Sequence, residues 1–349
     1  MTDFGISVSI FLATYLAIVS EKISRTLCAL VGGGLMIYAG ILTQDLALKE
    51  FVDFNTLGLL AGMMVLIAIV RDTGFFEAMA LWAVKKSKGQ GKDLLILLAL
   101  ITGVGAALID SVTAALLMAP MTLSISRMLR CSPIPFLITE VLLANVGGTA
   151  LMIGNPPNVM IGSASKLDFN SFLFNLAPIV VIVTIVTILA VLLVYRNSLN
   201  TTPLSDKEIA RINISSAIRD KRSLKLSLAV LFLTIVGFVI HGYFHIQSAT
   251  VAMTGAIVAI MVCNINPEEA FKSIELDTLM FFTGLFILVG GLEKTGVIKM
   301  IAEEGIKLVD GDLKILTFLI LILSGVASAF VDNIPFTATM IPLIMDIQK

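Results

Sequence analysis

Charge is scarce in this chain. Of 349 residues, 14% are Asp, Glu, Lys or Arg, against roughly 25% in soluble domains. So few charges cannot clothe a surface that faces water on every side. The formal net charge of −1 leaves no basic face, which excludes a nucleic-acid partner. Cysteine is nearly missing: Cys28, Cys131 and Cys263 are odd in number, and each lies in or beside an apolar run. No disulfide framework and no metal spacing follows from them. The two histidines, His241 and His245, lie four apart near a span end and read as interfacial. The first apolar run, 5–19, has no basic stretch before it, so it reads as a first span and not a cleaved signal.

What remains is 57% hydrophobic. A span needs about 20 apolar residues, and such runs fall near 4–20, 27–44, 55–71, 135–165, 170–195, 225–244, 249–264 and 278–293. Two others, 94–126 and 316–348, are too long for one crossing and too short for two with a turn. Both carry polar residues and glycine midway, and both suit a re-entrant hairpin. The run 135–165 is broken by Pro156-Pro157, because each proline removes a backbone donor and clashes with the preceding turn. Bare backbone at membrane depth survives only inside protein or against a watery cavity. Phe75, Phe76, Met79 and Trp82, followed by Lys85, Lys86 and Lys88, form an amphipathic interfacial helix. Ser205 and Glu208 have the capping-box spacing of a short surface helix in the polar segment 196–224.

The halves repeat. Thr278 follows Thr56 by 222 positions (278 − 56), and without a gap the same offset pairs Gly62 with Gly284, Gly74 with Gly296, Gly103 with Gly325, Asp110 with Asp332 and Pro120 with Pro342. An internal repeat sets the fold. The predicted fold is an all-α polytopic membrane protein of repeats with about five transmembrane helices each. The first repeat covers 1–198, with hairpin 94–126 and broken helix 135–165; a linker covers 199–224; the second covers 225–349, with hairpin 316–348. Five crossings make the repeats inverted, a transporter plan. The partner of the broken helix would fall beyond Lys349, so the second repeat is expected to be truncated by roughly 70 residues on that offset. Nine basic residues, from Lys22 to Arg130, and seven more from Arg196 to Lys225 gather on one side; Lys49 and Lys166 face them in this half. The positive-inside rule then puts the linker in the cytoplasm and the N-terminus outside, in a plasma (inner) membrane. Lys294, Lys299, Lys307 and Lys314 fall on the outer side against that rule.

A carboxylate inside a membrane costs about 2.5–3.5 kcal/mol on insertion scales and marks function by default. Asp110 and Asp332 are the candidates, with Ser111, Thr113, Asn333 and Thr337 supplying neutral oxygens beside them. The competing role for either Asp is a helix cap. Such oxygens suit Na⁺, at Asp110, Ser111, Asp332 and Asn333; half-helix amides suit an anion. Around the break, Asn145, Gly148, Thr149, Gly154, Asn155, Pro156, Pro157 and Asn158 form a site wall or a structural kink. Glu140 is either a proton carrier or an interfacial carboxylate.

The run Gly147-Gly148-Thr149-Ala150-Leu151-Met152-Ile153-Gly154-Asn155-Pro156-Pro157-Asn158, with Asp110-Ser111-Val112-Thr113 before it and Asp332-Asn333-Ile334-Pro335 after it, resembles the ion transporter superfamily. The nearest branch is similar to the arsenite permeases, the sodium/proton antiporters of the NhaD type and the melanosomal P protein. Citrate and dicarboxylate transporters, which share a citrate transporter-like domain, look more distant. The resemblance implies a dimerising scaffold and a transport domain in which substrate and coupling ion meet at hairpin tips and helix breaks, here 110–113, 154–158 and 332–337. The first hairpin departs from the pattern: Asp-Ser stands where many relatives have Asp-Asn.

The function expected is secondary active transport of a small ion by an elevator-like, alternating-access mechanism. Na⁺/H⁺ antiport and movement of a small anion such as arsenite or a carboxylate both stay open. Na⁺ or H⁺ is the coupling ion, no other cofactor is implied, and the partners are the bilayer and a second copy in a homodimer. The alternatives are a passive anion channel and an intramembrane aspartyl protease with Asp110 and Asp332 as its dyad; no Gly-x-Gly-Asp context supports the latter.

Overall fold

A computed structural model describes residues 3–200, 203–310, 312–329 and 332–348, apart from the side chains of Asp206 and Leu313. Among the described residues every regular element is helical. In chain order they are α1 (Asp3–Val19), α2 (Arg25–Tyr38), α3 (Gln44–Leu46) running into a π-helical turn (Ala47–Phe51), α4 (Phe54–Asp72), α5 (Phe75–Ser87), α6 (Gly91–Leu108), α7 (Ser111–Met128), α8 (Ile134–Gly148), α9 (Pro156–Ala164), α10 (Phe169–Asn175), α11 (Ala177–Val194), α12 (Asp206–Arg211), α13 (Lys221–Ile240), α14 (Ser248–Cys263), α15 (Pro267–Phe271), α16 (Leu276–Lys294), α17 (Val297–Leu308), α18 (Leu313–Ala327) and α19 (Asn333–Ile347). Five of these, α4, α6, α11, α13 and α16, are long and apolar enough to cross a bilayer. The chain is an all-α polytopic membrane protein.

Local chemistry sets the ends. Asp168 opens α10 by accepting from the Ser171 amide at 2.9 Å and its hydroxyl at 2.6 Å. Ser205 and Glu208 close the anticipated capping box on α12. The span expected at 27–44 is cut short. Gly40 takes a φ of 77°, which glycine adopts without Cβ strain, and Ile41 and Leu42 turn back to donate to the Met36 carbonyl at 3.1 and 3.2 Å. The run 94–126 becomes two 18-residue helices, α6 and α7, because Lys92, Asp93 and Arg127 join their outer ends. Each is about 27 Å long at 1.5 Å per residue.

The helix starts repeat at the offset seen in the sequence. Phe54, Phe75, Gly91 and Ser111 begin α4 to α7; Leu276, Val297, Leu313 and Asn333, each 222 later, begin α16 to α19. Gly74 and Gly296, ahead of α5 and α17, have φ of 84° and 79°; Lys88 and Asp310 have 52° and 51°.

The chain forms two compact units. In the first, 1–57 with 163–166 and 275–349, α2 packs lengthwise on α16. Hydrocarbon gives helices little reason to associate, so close packing of small residues does that work. A Cβ on Gly284 would stand 2.5 Å from the Ala29 carbonyl carbon, and one on Gly291 would meet the Met36 thioether at 2.6 Å. Ser7 and Thr295 share a hydroxyl hydrogen bond of 2.8 Å. In the second unit, 58–162 with 167–274, α6 is covered by α5, α7 and α8, and α11 lies on α8. Its core holds Leu94, Leu95, Leu98, Met118 and Phe136. Helix α13 pairs with α14, and Phe169 stacks on Phe238 at 5.8 Å.

Candidate ion-binding site

Within the second unit the α6–α7 turn meets the gap between α8 and α9. Glycine makes this possible. A Cβ on Gly147 would stand inside the Gly103 carbonyl of α6, and one on Gly148 would lie 3.2 Å from the Ser111 Cβ and 2.9 Å from the Gly154 carbonyl oxygen. Gly154 has no more room, with the Ala106 and Ala107 carbonyl oxygens 3.1 and 3.0 Å from its own hypothetical Cβ. Two stretches some forty residues apart in sequence therefore touch backbone to backbone.

Each helix start at this junction is capped from within. The Asp110 carboxylate accepts from the Val112 and Thr113 amides at 2.8 and 3.0 Å. Asn155 accepts from the Asn158 amide at 2.9 Å. Pro156 and Pro157 fill the first two positions of α9, where a missing N–H costs nothing. The Asn158 side chain, 7% exposed, donates to the Thr149 and Leu151 carbonyls at 3.1 and 2.9 Å. It closes the loop opened by the broken helix. Thr149 turns its own hydroxyl onto the Val146 carbonyl at 2.7 Å.

The junction is thus poor in free amides and rich in oxygen: the Asp110 carboxylate, the Ser111 hydroxyl, the Asn155 side chain and the unwound carbonyls. Ser111, Asn155, Pro156 and Pro157 are partly exposed around it, while Asn145 is exposed on α8. No group of three or more His, Cys, Asp or Glu suited to a metal ion occurs among the described residues.

Asp332 belongs to the first unit. It caps α19 through the Ile334 amide at 3.1 Å, and its other oxygen pairs with Arg25 at 3.1 Å. Arg25 also lies over the Phe281 ring, 5.3 Å from the centroid. Tyr15, Glu21, Lys22, Arg25, Asp332 and Pro335 line a cavity of about 380 Å³ there. Asn333 is exposed and Thr337 half-buried on α19.

Two partners escaped the sequence reading. Arg25, 307 residues from Asp332, had as its only signal a basic residue opening an apolar run. Thr122 of α7 donates to Glu140 of α8, whose carboxyl is 2% exposed; its other oxygen is buried without a partner among the described residues. Nothing in the spacing pointed to Thr122. His241 is buried, with its Nδ1 2.6 Å from the Phe238 carbonyl, and so closes the end of α13.

Apolar helices, one of them broken and its gap stitched to a helical turn by glycines, define an integral membrane transporter. The comparisons give the family. The family model described as citrate transporter matches residues 15–349, and the chain belongs to that family. The resemblance to the ion transporter superfamily holds: both the citrate transporter model and the P protein match this chain. An uncharacterized transporter of Mycobacterium bovis is 38% identical over 98% of this chain and 80% of its own length. The 46 kDa membrane protein of Mycobacterium leprae is 35% identical with the same coverage. The human P protein is 29% identical over 99% of this chain and 51% of its own length. The protein is a transporter and not an enzyme.

Proposed function

We propose that the chain carries out secondary active transport of a small ion by alternating access, with the oxygen-rich junction around Asp110 as the seat of the coupling cation. The observation that carries this reading is the donor set. Amides at the starts of α7 and α9 are absent or already used by Asp110, Asn155 and two prolines. Carboxylate, hydroxyl, carboxamide and carbonyl oxygens remain, the ligands that a hard cation takes. Na⁺ is the cation this set fits, and H⁺ on the same carboxylate is the variant of it. Helix starts still present the positive ends of their dipoles to the junction, so a small carboxylate beside the cation fits too, in keeping with the family's description. Na⁺/H⁺ antiport is the second reading, favoured by the same all-oxygen donor set.

The repeated helix starts support the pair of repeats; the elevator-like movement and the homodimer rest on the family resemblance. The basic residues of 196–225 support a cytoplasmic linker and an outer N-terminus. The test is flux through the full chain in proteoliposomes under imposed Na⁺ and pH gradients, offering citrate, dicarboxylates, arsenite and Li⁺. The expected result is uptake that stops when the Na⁺ or pH gradient is collapsed. Flux that ignores both gradients would mean a channel and would defeat the proposal.

A further inference from the structure

An apolar groove of about 330 Å³ runs over the second unit between α5 and α6, lined by apolar side chains and Gly105. Phe75, Met79 and Trp82 line one wall, and Leu97, Val104 and Leu108 the other. The groove is open to the surroundings: Trp82 is 40% and Val104 62% exposed. From Leu97 to Leu108 it spans about 16 Å at 1.5 Å per residue. That is about half the ~30 Å hydrocarbon core, the depth of one leaflet and one acyl chain.

Its two ends differ. At one end lies the α5–α6 turn, where Lys85, Lys86, Lys88 and Lys92 accompany a single acid, Asp93, for a net charge of +3 between 85 and 93. Phe75, Met79, Trp82 and Lys86 recur at +4, +7 and +11, one stripe of a helix. The apolar wall therefore leads straight to an ammonium group. Lys85, Lys86 and Lys92 are exposed and form no ion pair among the described residues. At the other end, Leu108 and Ile109 line the groove directly before Asp110.

We propose that this groove is a specific site for an anionic phospholipid, with one acyl chain along α5 and α6 and the phosphate at Lys85 and Lys86. Ordinary annular lipid would fill an apolar groove without regard to its headgroup. A cationic end makes the site selective, since each lysine near a membrane surface favours an anionic lipid. Trp82 sits where the apolar wall gives way to lysine, the depth at which tryptophan settles in membranes. The chain's far end would press on the residues behind the Asp110 turn, so occupancy would reach the junction.

Trp82 is the one tryptophan in the sequence, so its fluorescence reports this groove alone. The full chain is reconstituted in phosphatidylcholine vesicles with graded amounts of brominated phosphatidylglycerol or brominated phosphatidylcholine. The expected result is quenching at a lower mole fraction of the brominated phosphatidylglycerol. Lys85→Gln and Lys86→Gln, both surface changes, should each cut that preference about fivefold. Gly105→Leu should fill the groove, whose lining includes Gly105, and leave equal quenching by both lipids. Equal quenching of the unaltered protein would overturn the proposal. So would a Trp82 that neither lipid quenches, because a protein segment or a second copy would then occupy the groove.

Discussion

The turn before α7 and the turn before α19 come from equivalent sequence and have different surroundings. Asp110 and Asp332 each cap the helix that follows, and each helix carries a proline at the equivalent place, Pro120 and Pro342. Asp110 has no ion pair among the described residues, whereas Asp332 is held by Arg25. Helix α6 packs against α5, α7 and α8 and buries Leu94, Leu95, Leu98 and Ala99 among them. Its counterpart α18 leaves Leu321 65% exposed where α6 buries the equivalent Ala99 completely. The same motif is thus a cap in both places, and its neighbours decide whether the carboxylate is also available to an ion.

The sharpest way to break this comparison is at glycine. Gly147→Ala puts a methyl group into the Gly103 backbone, which cannot give way as a side chain end would. A loss on the order of 3 kcal/mol is expected, seen as a collapsed thermal midpoint or loss of the monodisperse peak. Gly325, the counterpart of Gly103, has open space around it. Gly325→Ala should gain about 0.5–1 kcal/mol from helix propensity alone. A destabilised Gly325→Ala would mean that α18 is covered as α6 is.

The next effect separates the two carboxylates. Asp110→Asn should lower cation-driven flux about tenfold or more, since hydrogen bonds to a charged group are worth about 1.5–3 kcal/mol. Unchanged flux and unchanged cation dependence would remove Asp110 from the site. In contrast, the exposed Arg25–Asp332 pair should show a coupling of at most about 1 kcal/mol in a double-mutant cycle of Arg25→Gln and Asp332→Asn, read from unfolding midpoints. A much larger coupling would make that pair the centre of the first unit.

The smallest effect concerns pH. Asp168, in the loop before α10, has its carboxyl held below the usual range, first by the Ser171 hydroxyl, against some burial, and then by the Ser171 amide and the His241 charge. A depressed carboxyl stabilises above its unfolded value and stops doing so as pH falls through the folded one. Amides of α10 should therefore exchange faster with solvent as pH drops below about 4, the ordinary Asp value, after correction for intrinsic rates. Asp168→Asn should erase that step.

Much of the architecture was legible from one chain. Pro156-Pro157 marked the break, and the helix that follows begins on Pro156 itself. The offset joining Gly74 to Gly296 and Asp110 to Asp332 is the offset between helix starts. The end of α2 was not legible, because a glycine at residue 40 can sit within a helix or reverse the chain, and here it reverses it. The partners of polar side chains were the least visible. For Asn158 a site wall and a structural kink were both open, and only the structure shows its amide spent on two carbonyls of its own loop. Thr122 meets Glu140 only because α7 packs on α8. Arg25 reaches Asp332 across nearly the whole chain. Spacing encodes the period of an element, and it does not encode which element lies opposite.

The stitch made by Asn158 bears on the empty carrier. A carrier that returns without its cargo takes a vacant polar gap with it, and in hydrocarbon such a gap would strand carbonyls without water. Here the Thr149 and Leu151 carbonyls already hold a donor from the next helix, and the two prolines have no N–H to leave bare. On the proposed mechanism the empty gap needs no water to stay satisfied, and the cargo has only to set the direction of travel.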